Sequence, residues 1–403
     1  MTALLPDAEW RHRPGMAGLL DAIGARDGLA RFVGGAVRDT LLGLPVQDLD
    51  IATVLDPHDV IRRLGAAGIK VVPTGIDHGT VTAVINGSPV EITTLRRDVS
   101  TDGRRATIAY TDDWREDAAR RDFTINALYA DPMTGAITDY FGGIADLEAR
   151  CVRFIGSAQA RIAEDHLRIM RYFRFLARYG DDDPDDEAYA ACRDAANSLM
   201  ALSRERIADE LMKLLAVAAP APAMGLMVAG DILRAVLPEI DMAGVARLDQ
   251  LVRREAQAGL AGSAVRRLCA LAPQDAAVAD AIAARLKLSN RARKRIAIAL
   301  APAPAGATME EAAYRLGLEG ATDRCLLDPA CDTAPLLAFQ GWQRPALSIG
   351  GGALIARGLA PGPDVARALR LVEDQWIAEG FPPPERVAAL ADQTVSKFQR
   401  ARQ

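Results

Sequence analysis

The chain has 403 residues, half of them hydrophobic and a quarter charged, with a net charge of −5. It can bury a sizeable core and is too long for one ordinary domain, so two to four units are expected. Aromatics at 5% against abundant Ala, Leu and Arg disfavour a β-sandwich, and the acidic balance requires that any nucleic-acid contact come from concentrated basic patches.

The cysteines (Cys151, Cys192, Cys269, Cys325 and Cys331) are scattered with no CxxC spacing. They read as free thiols of a reducing compartment. The start, MTALLPDAEWRHRPG, shows no basic segment followed by an apolar run, and no 18-residue apolar run occurs anywhere. A cytoplasmic protein without a membrane partner is expected.

In chain order, residues 30–140 mix strands and helices. ARFVGG reads as a strand entering a turn, and AVRDTLLG as a short helix stopped by Gly43 and Pro45. QDLDIATV alternates and is β-branched, so a strand is expected. PHDVIRRLGAAG reads as a helix. KVVPTG, GTVTAVING and SPVEITTLR read as three strands, the last two joined by an Asn-Gly turn. From about residue 156 the pattern becomes helical, and SAQARIAEDHLRIMRYFRFLARYG keeps helical spacing throughout. Residues 185–300 read as successive amphipathic helices, APAPAGA at 301–307 as a boundary, and 308–403 as further helices interrupted by LSIGGG and FPPPE. No repeat of fixed period is present.

Asp48 and Asp50 are two apart on the expected strand, so their carboxylates share a face. Two such acids repel unless a cation or water lies between them. Hard oxygen ligands at this spacing suit Mg²⁺, which keeps waters and shares substrate phosphates. A solvated strand end is the simpler alternative for an isolated DxD. The context favours the metal. Gly34-Gly35 stand directly before a helix start, where backbone can approach a phosphate closely, and Arg38 follows one turn later.

GGAVRDTLLGLPVQDLDIAT closely resembles the signature of the class II nucleotidyltransferases, the bacterial tRNA CCA-adding enzymes and poly(A) polymerases. The resemblance implies an α/β nucleotidyltransferase (DNA polymerase β-like) head followed by all-α neck, body and tail domains. The expected bounds are 1–150 for the head, 151–215 for the neck, 216–305 for the body and 306–403 for a tRNA-binding tail.

Further segments agree with it. RRDFTINAL matches the family's second motif, which implies nucleotide contacts from Arg120 or Arg121 and a pocket shaped by Asp122 and Asn126. Glu91 is a candidate third metal carboxylate, with a structural salt bridge as the alternative. The charged segment RRDVSTDGRR (96–105) looks like the flexible loop of the A-adding and full CCA-adding members. DPMTGAITDYFGGIADL (131–147) resembles a turn-rich link whose glycines would permit hinge motion, although a hairpin plus loop fits it equally.

In AEDHLRIMRYFRF, Asp165 and Arg168 are expected to be helical neighbours, with Arg171 and Arg174 continuing the stripe. An intrahelical salt-bridge ladder is the structural alternative. The match of EDHLR to the family's EDxxR motif implies that Glu164, Asp165 and Arg168 read the base. Arg171 and Arg174 resemble its further nucleotide-binding arginines. A carboxylate accepts from the exocyclic amine of cytosine or adenine while a guanidinium donates to a ring acceptor. Arg206 and Glu210 of SRERIADELMKLL are expected to buttress the neck. RLKLSNRARKR (285–295) and the terminal SKFQRAR are candidate phosphate contacts to tRNA. The four histidines include no HD-type hydrolase pattern.

The expected activity is template-independent CCA addition to tRNA from CTP and ATP, with Mg²⁺ as cofactor. The alternatives are a poly(A) polymerase or A-adding enzyme of the same family and, in another class, a non-catalytic RNA-binding protein.

Overall fold

The computed structural model describes residues 3–102, 105–181, 183–301 and 308–400. The chain divides into two compact units, Met1–Met242 and Ala243–Gln403.

Among the described residues the first unit has nine strands: β1 (Ala30–Val33), β2 (Asp50–Thr53), β3 (Lys70–Gly75), β4 (Thr80–Ile85), β5 (Ser88–Thr94), β6 (Arg96–Asp102), β7 (Arg105–Tyr110), β8 (Leu128–Ala130) and β9 (Ile137–Asp139). Seven of them form one mixed sheet in the order β3-β4-β5-β2-β1-β8-β9. Only the β2–β5 pair is parallel, with Asp50 opposite Glu91 and Ile51 opposite Ile92. The β4–β5 turn is the Asn-Gly type, with positive φ at both Asn86 (47°) and Gly87 (80°), the twist-matched geometry this dipeptide favours. The helix Pro57–Ala66 is started by Asp56, whose carboxylate accepts from the His58 N–H at 2.8 Å, and by Pro57 in its first turn.

The sheet packs Phe32, Ile51, Val81, Ile92 and Leu128 against Leu19, Val60 and Leu64, all essentially inaccessible. Burying each such side chain is worth roughly 1.5–3 kcal/mol. Trp10 closes one edge of this core, edge-on to Phe32 at 4.8 Å, with its indole N–H donating to Thr40.

Two expectations about the strands change. The β2 ladder begins at Asp50, not before it; Asp48 lies in a bend ahead of the strand and Leu49 is buried. Of the charged segment 96–105, residues 96–102 and 105 belong to strands: β6 and β7 form a separate two-stranded ribbon. Composition alone suggested solvated loop, whereas alternation with RATIAY supplies the partner. Residues 103 and 104 of that segment lie outside the described residues, as does most of the expected 301–307 boundary.

The turn-rich link is a tight β8–β9 hairpin followed by a pinned turn. The Asp139 carboxylate accepts from the N–H groups of Phe141, Gly143 and Ile144. A Cβ on Gly143 would stand 2.3 Å from the Thr124 carbonyl, so the chain passes too closely there for any side chain.

The expected continuous helix after residue 156 is two helices, Ala158–Glu164 and Leu167–Tyr179. The break is Asp165, which is extended (φ −152°, ψ 106°) and accepts from the Leu167 N–H at 3.1 Å. A short acceptor side chain that bonds nearby backbone competes with helix continuation.

In the second unit the described elements are helical: Met242–Gln257, Ala264–Leu271, Ala276–Arg285, Asn290–Leu300, Met309–Leu327, Gly351–Ala356, Pro363–Ala378 and Pro384–Arg400, with a 3₁₀ segment at Ala334–Gly341. The helix Met309–Leu327 is kinked at Gly317 (φ 78°). Tyr314, Leu354, Val372, Trp376, Leu390 and Val395 form one core of this unit. Among the described residues no helix is long and apolar enough to cross a membrane.

The reading of five free thiols is corrected. Cys325 and Cys331 are disulfide-bonded, their Cα atoms 5.2 Å apart, while Cys151, Cys192 and Cys269 are free. The turn after Leu327 brings the pair together, and Arg254 braces it by donating to the carbonyls of Cys325, Leu326, Asp328 and Cys331. A six-residue spacing carries no sequence signal for such a bond.

Candidate active site

A polar cleft of about 640 Å³ in the first unit is lined by most of the residues singled out from sequence. One wall comes from the glycine turn after β1, the helix that follows it and the start of β2. Gly34 adopts φ 69°, ψ −125°, a conformation that excludes most side chains, and a Cβ there would lie 3.3 Å from Arg121 Nη1. The helix Gly35–Leu41 follows at once. Asp48 and Asp50 both line the cleft, because buried Leu49 turns its neighbours to the opposite face.

Asp50 is electrostatically unusual. Burial, the Glu91 carboxylate beside it in the sheet and Asp48 raise its carboxyl to about 6, against the opposing charge of Arg121. Its neighbourhood carries more negative charge than Arg121 neutralises. Glu91 is not among the residues that line the cleft. Among the described residues, no group of three or more His, Cys, Asp and Glu side chains is gathered for a metal ion.

The opposite wall is the helix Leu167–Tyr179. Its residues Arg168, Arg171, Arg174 and Arg178 recur every three or four positions and all reach the cleft. Each has a protein partner. Arg168 pairs with Glu164, and Arg174 donates to Glu210 at 2.6 Å. Arg171 donates to Asp122, and Arg178 lies 3.4 Å from Asp39. Asp165 and Arg168 are not paired with each other as helical spacing suggested. Asp165 instead binds Arg206 at 2.7 Å, since its extended backbone aims it toward the helix Arg204–Leu215. Glu210 is buried and serves as a buttress, as expected; Arg206 lines the cleft itself.

The floor joins the two walls. Burial alone would raise the Asp122 carboxyl, but Arg171, Asn126 and the Phe123 N–H outweigh it and hold it at about 2. The Asn126 amide donates to Asp122 at 2.9 Å and its carbonyl oxygen accepts from Arg38. Of the adjacent arginines only Arg121 lines the cleft. Arg120 ends the helix Trp114–Ala119 and pairs with Asp117 at 2.8 Å outside it.

Because the Asp122 carboxyl is depressed, the stability it adds is present above the unfolded value near 4 and is lost as pH falls toward 2. The shift corresponds to roughly 2 kcal/mol. Asp122→Asn is expected to flatten the acid limb of a denaturant-stability curve between about pH 4 and pH 2. An unchanged limb would show that Asp122 is not held ionised by these partners.

Sequence reading missed Asp39, Gln47, Phe175, Arg178, Tyr179 and Arg206 as cleft residues. Arg178 and Phe175 were reachable by extending the helical stripe; Asp39 and Tyr179 gave no such signal. Of the basic run 285–295, Arg293 is paired with Asp280, and Arg295 with Asp323 and Glu319. Arg291 and Lys294 are exposed, as are Lys397 and Arg400 near the end of the chain.

Residues 30–153 match the family model described as the poly A polymerase head domain, and residues 183–243 match the probable RNA and SrmB-binding site of polymerase A. The mitochondrial CCA tRNA nucleotidyltransferase 1 of Mus musculus is 43% identical over 213 residues, 52% of this chain and 49% of the relative. A CCA-adding enzyme of Streptococcus sanguinis (strain SK36) is 43% identical over 199 residues, 49% of this chain and 48% of that one. The chain thus spans about half the length of the curated relatives it matches. The crystal structure of the Bacillus stearothermophilus CCA-adding enzyme in complex with CTP is similar over 96% of this chain and 100% of that one, with a TM-score of 0.74 and 27% identity.

Proposed function

We propose that this chain, a member of the tRNA nucleotidyltransferase and poly(A) polymerase family that carries the family's head domain over residues 30–153, adds C, C and A to the 3′ end of tRNA without a template. CTP and ATP are the donors and pyrophosphate is released. The observation that carries the reading is the single cleft that faces an acid pair and a glycine turn with an arginine helix and Asp165. The CCA-adding relatives and the CTP complex of the Bacillus stearothermophilus enzyme support the choice of substrates.

The tRNA 3′ hydroxyl attacks the α-phosphate of the bound nucleotide, and the bond to the β-phosphate breaks. Gly34 and Gly35 offer backbone to the triphosphate, with Arg121 beside them. Asp165 and Arg168 select the base, Arg206 holding the carboxylate and Glu164 the guanidinium in place. Uracil and guanine would present a carbonyl to Asp165, leaving polar groups unpaired at about 1–3 kcal/mol each. Arg171 and Arg174 complete the cationic wall, while Asp122, Asn126 and Arg38 set the shape of the pocket.

Asp48 and Asp50 fit a divalent cation: they are hard oxygen donors on one face, and the raised Asp50 carboxyl marks negative charge that a cation would relieve. Mg²⁺ held there would supply charge neutralisation for the attacking and leaving oxygens. Glu91 stands next to Asp50 in the sheet and is the candidate for a supporting carboxylate. Catalysis rests otherwise on positioning in a cleft built before substrate arrives. We assign the head to 1–150, the neck to 151–215, the body to 216–305 and the tail, with its exposed basic residues toward tRNA, to 306–403.

The test incubates the protein with Mg²⁺, a tRNA lacking its CCA end and each labelled nucleotide, sizing products to one nucleotide. Two C and one A followed by a stop are expected. A long A ladder without C would make the chain a poly(A) polymerase. Tight tRNA binding with no addition would leave only the RNA-binding alternative.

A further inference from the structure

Arg38 lines the cleft, yet every nitrogen of its guanidinium is already bonded within the protein. Nε donates to Asp39 at 2.7 Å, Nη1 to Asn126, and Nη2 to the Tyr179 hydroxyl at 2.5 Å. The guanidinium also lies over the Tyr179 ring, 4.1 Å from its centroid. Asp39 takes a second cation, Arg178, at 3.4 Å. Arg38 and Tyr179 are 6% and 7% exposed, so this pair is nearly dry.

Arg178 and Tyr179 close the C-terminal end of the helix whose N-terminal end carries Arg168 and is preceded by Asp165. The same helix is tied a second time to the floor of the cleft, through Arg171 and Asp122. From Asp122 the bonds run through Asn126 back to Arg38. The helix is therefore clamped at two points to the segment that begins with Gly34-Gly35.

We propose that Tyr179 and Arg178 are positioning residues that set a fixed distance between the base-reading end of the cleft and the triphosphate turn. The idea rests on the nucleotide-selecting function given above. The lever is a rigid helix of about 16 Å from Arg168 to Tyr179. Its far end grips Arg38 and Asp39, which belong to the helix that starts at the glycine turn. A nucleotide whose base seats against Asp165 and Arg168 then has its α-phosphate aligned. One whose base is displaced does not, because small misplacements of reacting atoms lower the rate steeply. Loosening the grip lets the triphosphate end adjust to a displaced base, at the expense of alignment for the correct one.

Tyr179→Phe keeps the ring over Arg38 and removes only the hydroxyl. With tRNA lacking CCA, kcat for CTP is expected to fall about five- to tenfold, as for loss of one hydrogen bond to a charged group. KM for CTP should stay within twofold. The slow incorporation of UTP should fall less, or rise, so that the CTP-over-UTP ratio of kcat/KM narrows by at least threefold. Equal losses for both nucleotides, or an unchanged ratio, would reduce the cluster to a structural brace and overturn the proposal. Should Tyr179→Phe fail to fold, by thermal melting and CTP binding, Arg178→Gln removes the other half of the grip at a side chain that is 39% exposed. The same ratio then decides. A wild-type protein that adds no nucleotide at all defeats the functional reading. A wild-type protein that adds C and A beside variants of unchanged selectivity defeats the grip alone.

Discussion

Asp50→Asn is expected to lower nucleotide addition by about 10³-fold or more while making the metal-free protein more stable. The loss follows from removing one of two carboxylates that face the cleft, the same order as deleting a principal group that neutralises charge in a transition state. The gain follows from electrostatics. Burial, Glu91 and Asp48 raise the Asp50 carboxyl from 3.8 to about 6. A carboxylate so raised reduces stability as pH climbs from about 4 through about 6, because the folded state must release a proton it prefers to keep. Above that window the penalty is at most about 2 kcal/mol, given partial access of solvent. Asparagine has no charge to penalise. Melting in EDTA at pH 8 should therefore show a higher midpoint for the variant, and added Mg²⁺ should raise the midpoint of the wild type alone. A variant that loses activity together with stability would mean that Asp50 supports the fold instead of carrying the chemistry.

Asp323→Ala is expected to destabilise the second unit by about 3–5 kcal/mol, the range for removing one partner of a buried ion pair. Asp323 has no exposed surface and lies between Arg266 at 2.7 Å and Arg295 at 2.6 Å. Arg266 continues to Glu255 at 2.6 Å, and Glu255 to Arg267 at 2.8 Å. Without Asp323, Arg266 keeps only Glu255 and Arg295 keeps only the more exposed Glu319. The measurement is chemical denaturation followed by a probe in the second unit, with CTP binding to the first as the control. Asp209→Ala, which breaks the exposed pair with Lys213, should change stability by less than about 1 kcal/mol. Equal small effects from both variants would show that the second unit does not depend on the network.

The comparison of sequence with structure divides by range. Strands β1, β2, β4 and β5, the Asn-Gly turn and the capped helix at Pro57 were legible because their causes act over a few residues. Alternation sets the buried face, turn chemistry sets the ends, and an N-cap needs only its neighbours. The acid pair and the glycine turn were legible for the same reason: Asp48, Leu49 and Asp50 alternate, and Gly34 alone tolerates its backbone angles. The errors came where local rules compete. Asp165 kept the helical period in sequence but bonded its own downstream N–H and ended the helix. The β6–β7 ribbon read as solvated loop because its composition is charged.

The amino-acid sequence by itself determined the α/β head, the helical remainder, and which residue types are candidates for contact with metal, phosphate and base. Only the tertiary structure decided their partners. Asp165 meets Arg206 from 41 positions away, Arg38 meets Tyr179 from 141, and Arg266 meets Asp323 from 57. The reason is that a charge taken wholly or partly out of water must find an opposite charge or a polar partner wherever packing leaves one. Several arginines and acids are equivalent by type along this chain, and only the packed fold, with its low-dielectric interior and fixed distances, makes one pairing far better than the rest.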